Sequence, residues 1–292
     1  FLAYKNYVKP RLPAGEPAKI ERPATPPAAE KTGRLDSPAG GIVTGALAPR
    51  KVQSPGVDMP PAQLGNDSLR MAAAQGDPKA QFIIASRYLE GQGVERDMAK
   101  AGYWYGLAAA QGLAPAQYRL ATLYELGRGV PKNLAMALNW YERAALRGNV
   151  KAMHNAAVIS AGVNGGPSDY AKAFRWFKSA AEHGFPDSQF NTAILYERGL
   201  GAKANAAEAY FWYSLAGRRG ESDARQRAAA LGKSLSRDQI AALETLLKAW
   251  TPKPMDESAN IVAAAEPGWG VPDTGNAAQQ SSLATTWRAP RV

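Results

Sequence analysis

Glycine returns at a fixed interval along the middle of this chain: Gly76, Gly112, Gly148, Gly184 and Gly220 are 36 residues apart (112 − 76 = 36). Trp104, Trp140, Trp176 and Trp212 keep the same step (140 − 104 = 36). A period in this range marks a helical-hairpin solenoid, in which each unit buries its apolar face only by stacking on its neighbours. The chain is therefore expected to be all-α: antiparallel helix pairs in four full units of 36 residues, closed by half-repeat caps.

The first unit gives the local rules. Asp77-Pro78 is an N-cap followed by proline at N1, where a missing N–H costs nothing. Ala80, Ile84, Ala85 and Tyr88 then share one helical face. Gly91-Gln92-Gly93 breaks the helix, and Asp97 caps a second one carrying Ala101, Trp104, Tyr105, Ala108 and Ala109. The same scheme recurs with Tyr124, Asn133 and Trp140 in the second unit, and with Tyr196, Asn205 and Trp212 in the fourth. Trp104, Trp140, Trp176 and Trp212, with Tyr88, Tyr124 and Tyr196, are the expected repeat core. The third unit departs, with Ser160 and Val163 in place of the turn Tyr and first Gly, and an added Gly166-Pro167. A different turn is expected there.

Three segments follow from this. Residues 1–64, punctuated by prolines from Pro10 to Pro61, read as a disordered spacer, too poor in apolar surface to offset the entropy of ordering. Residues 65–252 form the solenoid. It opens on a lone helix after the N-cap cluster Asn66-Asp67-Ser68 and closes with a capping box, Ser236-x-x-Gln239, before a helix that stops at Thr251-Pro252. Residues 253–292 read as a disordered tail. Phe1-Leu2-Ala3-Tyr4 before Lys5 reads as the end of a membrane span lying upstream, since no run within the chain is long and apolar enough to cross a bilayer.

The motif search argues against an enzyme. With 0 Cys there is neither a disulfide framework nor thiolate chemistry. The turns Gly91-Gln92-Gly93 and Gly127-Arg128-Gly129 lack the Lys-Ser/Thr and preceding strand of a phosphate loop. His154 falls in the slot of Phe82, Tyr118 and Phe190 and reads as a packing residue; His183 precedes Gly184, at a helix C-terminus that favours positive charge. No catalytic residue, metal site or cofactor is assigned. The net charge of +10 comes from basic residues interrupted by acids, with no stripe of the kind nucleic acid selects, so no nucleic acid is expected.

The pattern A-x₇-Y-x-x-G-x-G-V followed by D-x-x-K-A-x-x-W-Y-x-x-A-A-x-x-G resembles the Sel-one-like repeat, a relative of the tetratricopeptide repeat, across residues 66–232. The resemblance implies a right-handed solenoid whose concave face binds other proteins or extended peptides. The proline-rich spacer, the Leu235-Ser236 capping segment and the tail are together similar to the periplasmic region of alphaproteobacterial PodJ-type polar localisation factors. That similarity implies a membrane-anchored periplasmic scaffold, in contact with cell-envelope components. The alternative is a soluble periplasmic regulator that restrains a membrane sensor kinase. If the first helix of each unit lines the concave face, Gln81, Gln117 and Gln189, with Arg119, Asn155 and Asn191, form a polar ladder for partner binding.

Overall fold

The structure, a computed structural model, describes residues 57–163, 166–262 and 269. Its regular elements are all helical: α1 (Asp67–Ala74), α2 (Pro78–Glu90), α3 (Met98–Ala110), α4 (Ala114–Leu126), α5 (Leu134–Leu146), α6 (Val150–Ser160), α7 (Tyr170–Glu182), α8 (Pro186–Arg198), α9 (Ala206–Gly217), α10 (Ser222–Gly232), α11 (Arg237–Ala249) and α12 (Glu257–Asn260), preceded by a single 3₁₀ turn at Ala62–Leu64. Helices α2/α3, α4/α5, α6/α7 and α8/α9 are the four pairs, each packed on the next, and here the first helix of a pair is called A and the second B.

Local chemistry places the ends. Asp97, Asn133, Asp169 and Asn205 accept from the N–H groups of Lys100, Met136, Lys172 and Glu208 at 2.9–3.1 Å, satisfying donors that the first turn of each B helix would leave orphaned. The N–H of each of these caps also returns to a carbonyl of its A helix, at Tyr88, Tyr124, Ser160 and Tyr196, which closes the hairpin. In α6, two residues shorter than the other A helices, that closure survives although the turn is rebuilt around Gly162 and a Ser168 hydroxyl donating to the Ala161 carbonyl. The differing turn expected in the third unit is thus present; Gly165 lies outside the described residues.

The second turn glycine has a separate role. A Cβ on Gly129 would sit on the Met98 carbonyl at the start of α3, and one on Gly201 would meet the Tyr170 carbonyl at the start of α7. Each turn therefore presses its backbone against the B helix of the preceding unit. Gly93 makes the same approach to Gln63, so the 3₁₀ turn stands where an earlier B helix would begin. Leu64 is fully buried there, and the Arg87 guanidinium donates to its carbonyl. Val57–Leu64 is thus packed rather than part of the expected spacer; residues 1–56 lie outside the described residues.

The core is centred one residue beyond the tryptophans. Tyr105, Tyr141, Phe177 and Tyr213, again 36 apart (141 − 105 = 36), are the largest fully buried side chains. Trp104, Trp212 and Tyr88 are buried, whereas Trp140, Trp176, Tyr124 and Tyr196 are half-buried at the core margin. A buried phenol must find a partner. Tyr105 meets Ser86 (2.9 Å), Tyr141 meets Thr122 (3.0 Å) and Glu125 (2.8 Å), and Tyr213 donates to Glu197 (2.6 Å). Burial, reinforced by Glu197, holds the Tyr213 phenol well above its ordinary pKa. Phe177 needs no partner. Beside it His154 replaces the sister aromatics, 5.5 Å from Phe177 and 4.9 Å from Phe185, with Nδ1 2.8 Å from the Ser188 hydroxyl.

After α9 the stack is closed by α10 and α11. Leu247 is buried, the Arg218 guanidinium donates to its carbonyl (2.5 Å), and the Ser236/Gln239 capping box is formed.

The turn contact can be tested directly. Gly129→Ala should lower stability by about 1–3 kcal/mol or more, since it forces alanine to a positive φ and against fixed backbone. Gly106→Ala, where the added methyl meets nothing within 4 Å inside α3, should raise stability by about 0.5–1 kcal/mol. Thermal unfolding of the two variants by circular dichroism reads both signs.

Candidate interaction surface

The amide ladder expected on the partner face is turned inward. Gln81, Gln117 and Gln189 are buried, each donating through Nε2 to a carbonyl near the end of the preceding B-type helix: Ala73 (3.2 Å), Ala109 (3.0 Å) and Ala181 (3.3 Å). Each carbonyl also accepts the N–H of the closing glycine three residues on, at 2.8–3.1 Å, and the glutamine takes its remaining lone pair, which ties successive units together. Asn155 and Asn191 are also buried. Of the six residues assigned to partner binding, Arg119 alone keeps a partly exposed side chain. The reason is geometric. An A helix packed on both its own B helix and the preceding one presents these positions to protein on either side, and a 36-residue recurrence is the same for a residue facing a ligand as for one facing the preceding unit.

What the sequence missed lies along the loops that join one unit to the next. The chain does not leave the solenoid at residue 252. It turns back and runs antiparallel to the order of the units. Lys253 donates its backbone N–H to the Glu182 carbonyl (2.9 Å) at the end of α7, and its carbonyl lies 3.2 Å from His183 Nδ1. Pro252 covers Gly184, and Met255 packs on the core shared by the second and third units. Helix α12, capped by Asp256, then lies against α4. Further on, Trp269 packs on the core of the first units. The tail expected from residue 253 is therefore ordered through Asn260; the remainder, apart from Ile261, Val262 and Trp269, lies outside the described residues.

The densest contact is at the junction of the second and third units. Asn149, the N-cap of α6, donates Nδ2 to the Ala259 carbonyl (2.7 Å). The Val150 N–H donates to Asn260 Oδ1 (2.9 Å), and Asn260 Nδ2 donates to the Gly148 carbonyl (3.0 Å). Ala259 is buried against Gly148. The sequence did carry a signal for this. The A helices of the first and fourth units begin with Pro78 and Pro186, which have no N–H to offer, whereas the third begins with Val150 behind an asparagine.

Two cations stand near this junction on neighbouring A helices: the Lys151 ammonium is held below its ordinary pKa by burial and then by Arg119. On the B helices a shallow groove of about 510 Å³ is lined by Glu142, Leu146, Lys172, Arg175, Trp176 and Ser179, bridged by a Lys172–Glu142 ion pair at 3.2 Å. Among the described residues no cluster of His, Asp and Glu is placed to hold a metal ion, and no helix is long and apolar enough to cross a membrane.

Comparison with known proteins agrees with this architecture. Four consecutive segments, residues 78–113, 114–149, 150–185 and 186–221, match the Sel1 repeat family. The chain is 35% identical to a Sel1 repeat protein from Oxalobacter formigenes over 56% of its own length and 48% of that protein's, with a TM-score of 0.51. It is likewise 35% identical to a protective antigen present in uropathogenic Escherichia coli strains displaying an SLR fold, over 54% of its length and 34% of that chain, with a TM-score of 0.50. The chain thus spans about half of the first and a third of the second. A search of curated proteins finds no match. Residues 78–221 are four Sel1 repeats, and proteins built from such repeats are typically non-catalytic and bind other proteins.

The structural role of the glutamines predicts a stability effect. Gln117→Ala, which removes a hydrogen bond between units while the Ala109 carbonyl keeps the Gly112 N–H, should cost about 0.5–1.5 kcal/mol in urea unfolding, with little change in the slope.

Proposed function

We propose that this chain is a non-catalytic scaffold that binds other proteins or extended peptides, and that it is the periplasmic part of a membrane-anchored polar localisation factor. One observation carries the binding reading: the junction edge already holds a peptide segment, Lys253–Asn260, through backbone and side-chain hydrogen bonds. A surface that reads one peptide in this way has the chemistry to read another. The beginning of the chain supports the placement. A proline-rich spacer would hold the repeats away from a bilayer, and 0 Cys suits an oxidising compartment. Stacked units contribute rigid surface rather than reactive groups, which suits recruitment over chemistry.

The test is a crosslinking pull-down with the full chain as bait, run separately against envelope and cytoplasmic extracts, beside an Arg119→Glu variant. Envelope proteins should be captured, and at least several-fold less by the variant. Capture from the cytoplasmic extract alone would overturn the periplasmic placement. Equal capture by both baits would remove the A-helix face from the binding surface.

A further inference from the structure

The contact of Asn260 has features that a tail resting on a surface does not need. Its side-chain amide is read from both ends, with Oδ1 facing a donor on Val150 and Nδ2 facing an acceptor on Gly148. Aspartate could not donate to the Gly148 carbonyl, and glutamine would place the amide one methylene too far. The residue before it is held as well. Asn149 binds the Ala259 carbonyl, and the Ala259 methyl is buried beside Gly148, which leaves little space for a larger side chain. Asp256 closes the far end by capping its own turn, accepting from the Ser258 N–H and hydroxyl at 2.9 and 2.7 Å. What is recognised is a short turn: an acidic cap, then a small residue, then asparagine.

The receiving site is built from departures in the repeat. The equivalent junctions are Gly76-Asp77-Pro78, Gly112-Leu113-Ala114, Gly184-Phe185-Pro186 and Gly220-Glu221-Ser222. None of these combines a side-chain amide with a free N–H at the following residue. Asn149-Val150 has both, so the site occurs once in the stack.

Elsewhere the occupant is held by the Lys253 N–H bond to the Glu182 carbonyl and by Met255 against the core, and most of its side chains face solvent. Thr251, Lys253, Pro254, Asp256, Glu257 and Ser258 are exposed. The Lys253–Glu182 ion pair lies largely in solvent, where such pairs contribute little. A four-residue helix has no stability of its own.

We propose that Gly148-Asn149-Val150 is a recognition site for an acidic-capped peptide turn ending in a small residue and asparagine, and that Asp256–Asn260 occupies it as an intrachain competitor which a partner presenting the same turn displaces. The existence of such a partner rests on the scaffold reading above; the site itself does not.

The experiment uses the full chain and a fluorescein-labelled peptide of the chain's own sequence, Asp-Glu-Ser-Ala-Asn-Ile-Val, read by fluorescence anisotropy. In the wild type the tethered copy competes at an effective concentration on the order of millimolar, so the peptide should bind weakly. Asn260→Ala should vacate the site and raise apparent affinity at least about tenfold. Adding Val150→Pro to that variant restores the residue found in two sister units, so folding is preserved while the Oδ1 donor is removed; binding should fall roughly tenfold. A peptide with aspartate in place of asparagine should fail on every variant. Equal binding to wild type and Asn260→Ala would overturn the proposal, as would no binding to an Asn260→Ala chain whose helix content is native. A wild-type dimer by light scattering that dissociates in Asn260→Ala would give the site to a second copy and overturn the assignment to a partner. Failure here with envelope proteins still captured in the pull-down leaves the scaffold intact; peptide binding without captured envelope proteins does the reverse.

Discussion

The approach of each turn glycine to the B helix before it governs this architecture. At Gly129 and Gly201 two backbones come together with no side chain between them, which fixes how closely one unit sits on the last. That spacing in turn brings Gln117 and Gln189 within reach of the Ala109 and Ala181 carbonyls, and it leaves a slot in which only one large aromatic per unit is fully enclosed. The same demand explains the leading end. A first unit still needs backbone to lean on, and the 3₁₀ turn at Ala62–Leu64 supplies it. Small residues at the A–B contact, such as Ala80, Ala101 and Ala108, follow from the same closeness.

The third unit collects the exceptions. Its aromatic slot holds Phe177 rather than tyrosine, with His154 beside it; its A helix is two residues shorter than its sisters; its junction carries Asn149 and Val150. Each exception is internally consistent. Phe177 has no hydroxyl to satisfy, so the slots held by Ser86 and Thr122 in earlier units can be Val158. His154 finds Ser188 one unit on. The irregular unit is also the one on which the returning segment closes, which places specificity where the repeat is broken and stability where it is kept.

Most of the architecture was legible in the sequence, because helix ends are written in local chemistry. Asp77, Asp97, Asn133 and Ser236 cap where their types and positions indicated, and the periodic glycines take positive φ at helix ends. The surface was not legible in the same way. A recurring Gln81, Gln117 and Gln189 shows that a position matters in every unit, and does not show whether it faces a ligand or the preceding helix. Which member of the Trp-Tyr pair lies deepest was not legible either, since adjacent residues share a period and differ only in which way they point. The returning segment escaped for a different reason. Composition weighs apolar content, whereas Lys253–Asn260 is held by the Ala259 methyl, the Met255 side chain at the core margin and a handful of polar bonds, a signal too small to stand out among Pro252, Pro254 and charged neighbours.

A stack of repeats ordinarily behaves as a one-dimensional series in which each member responds only to its neighbours, so that ends fray independently of the middle. The bond from Asn260 to Gly148 joins residues 112 apart in sequence and changes that connectivity. It converts an open series into a ring with one weak link. Opening of the C-terminal cap must release the middle of the stack at the same moment, which raises cooperativity without enlarging any local interface.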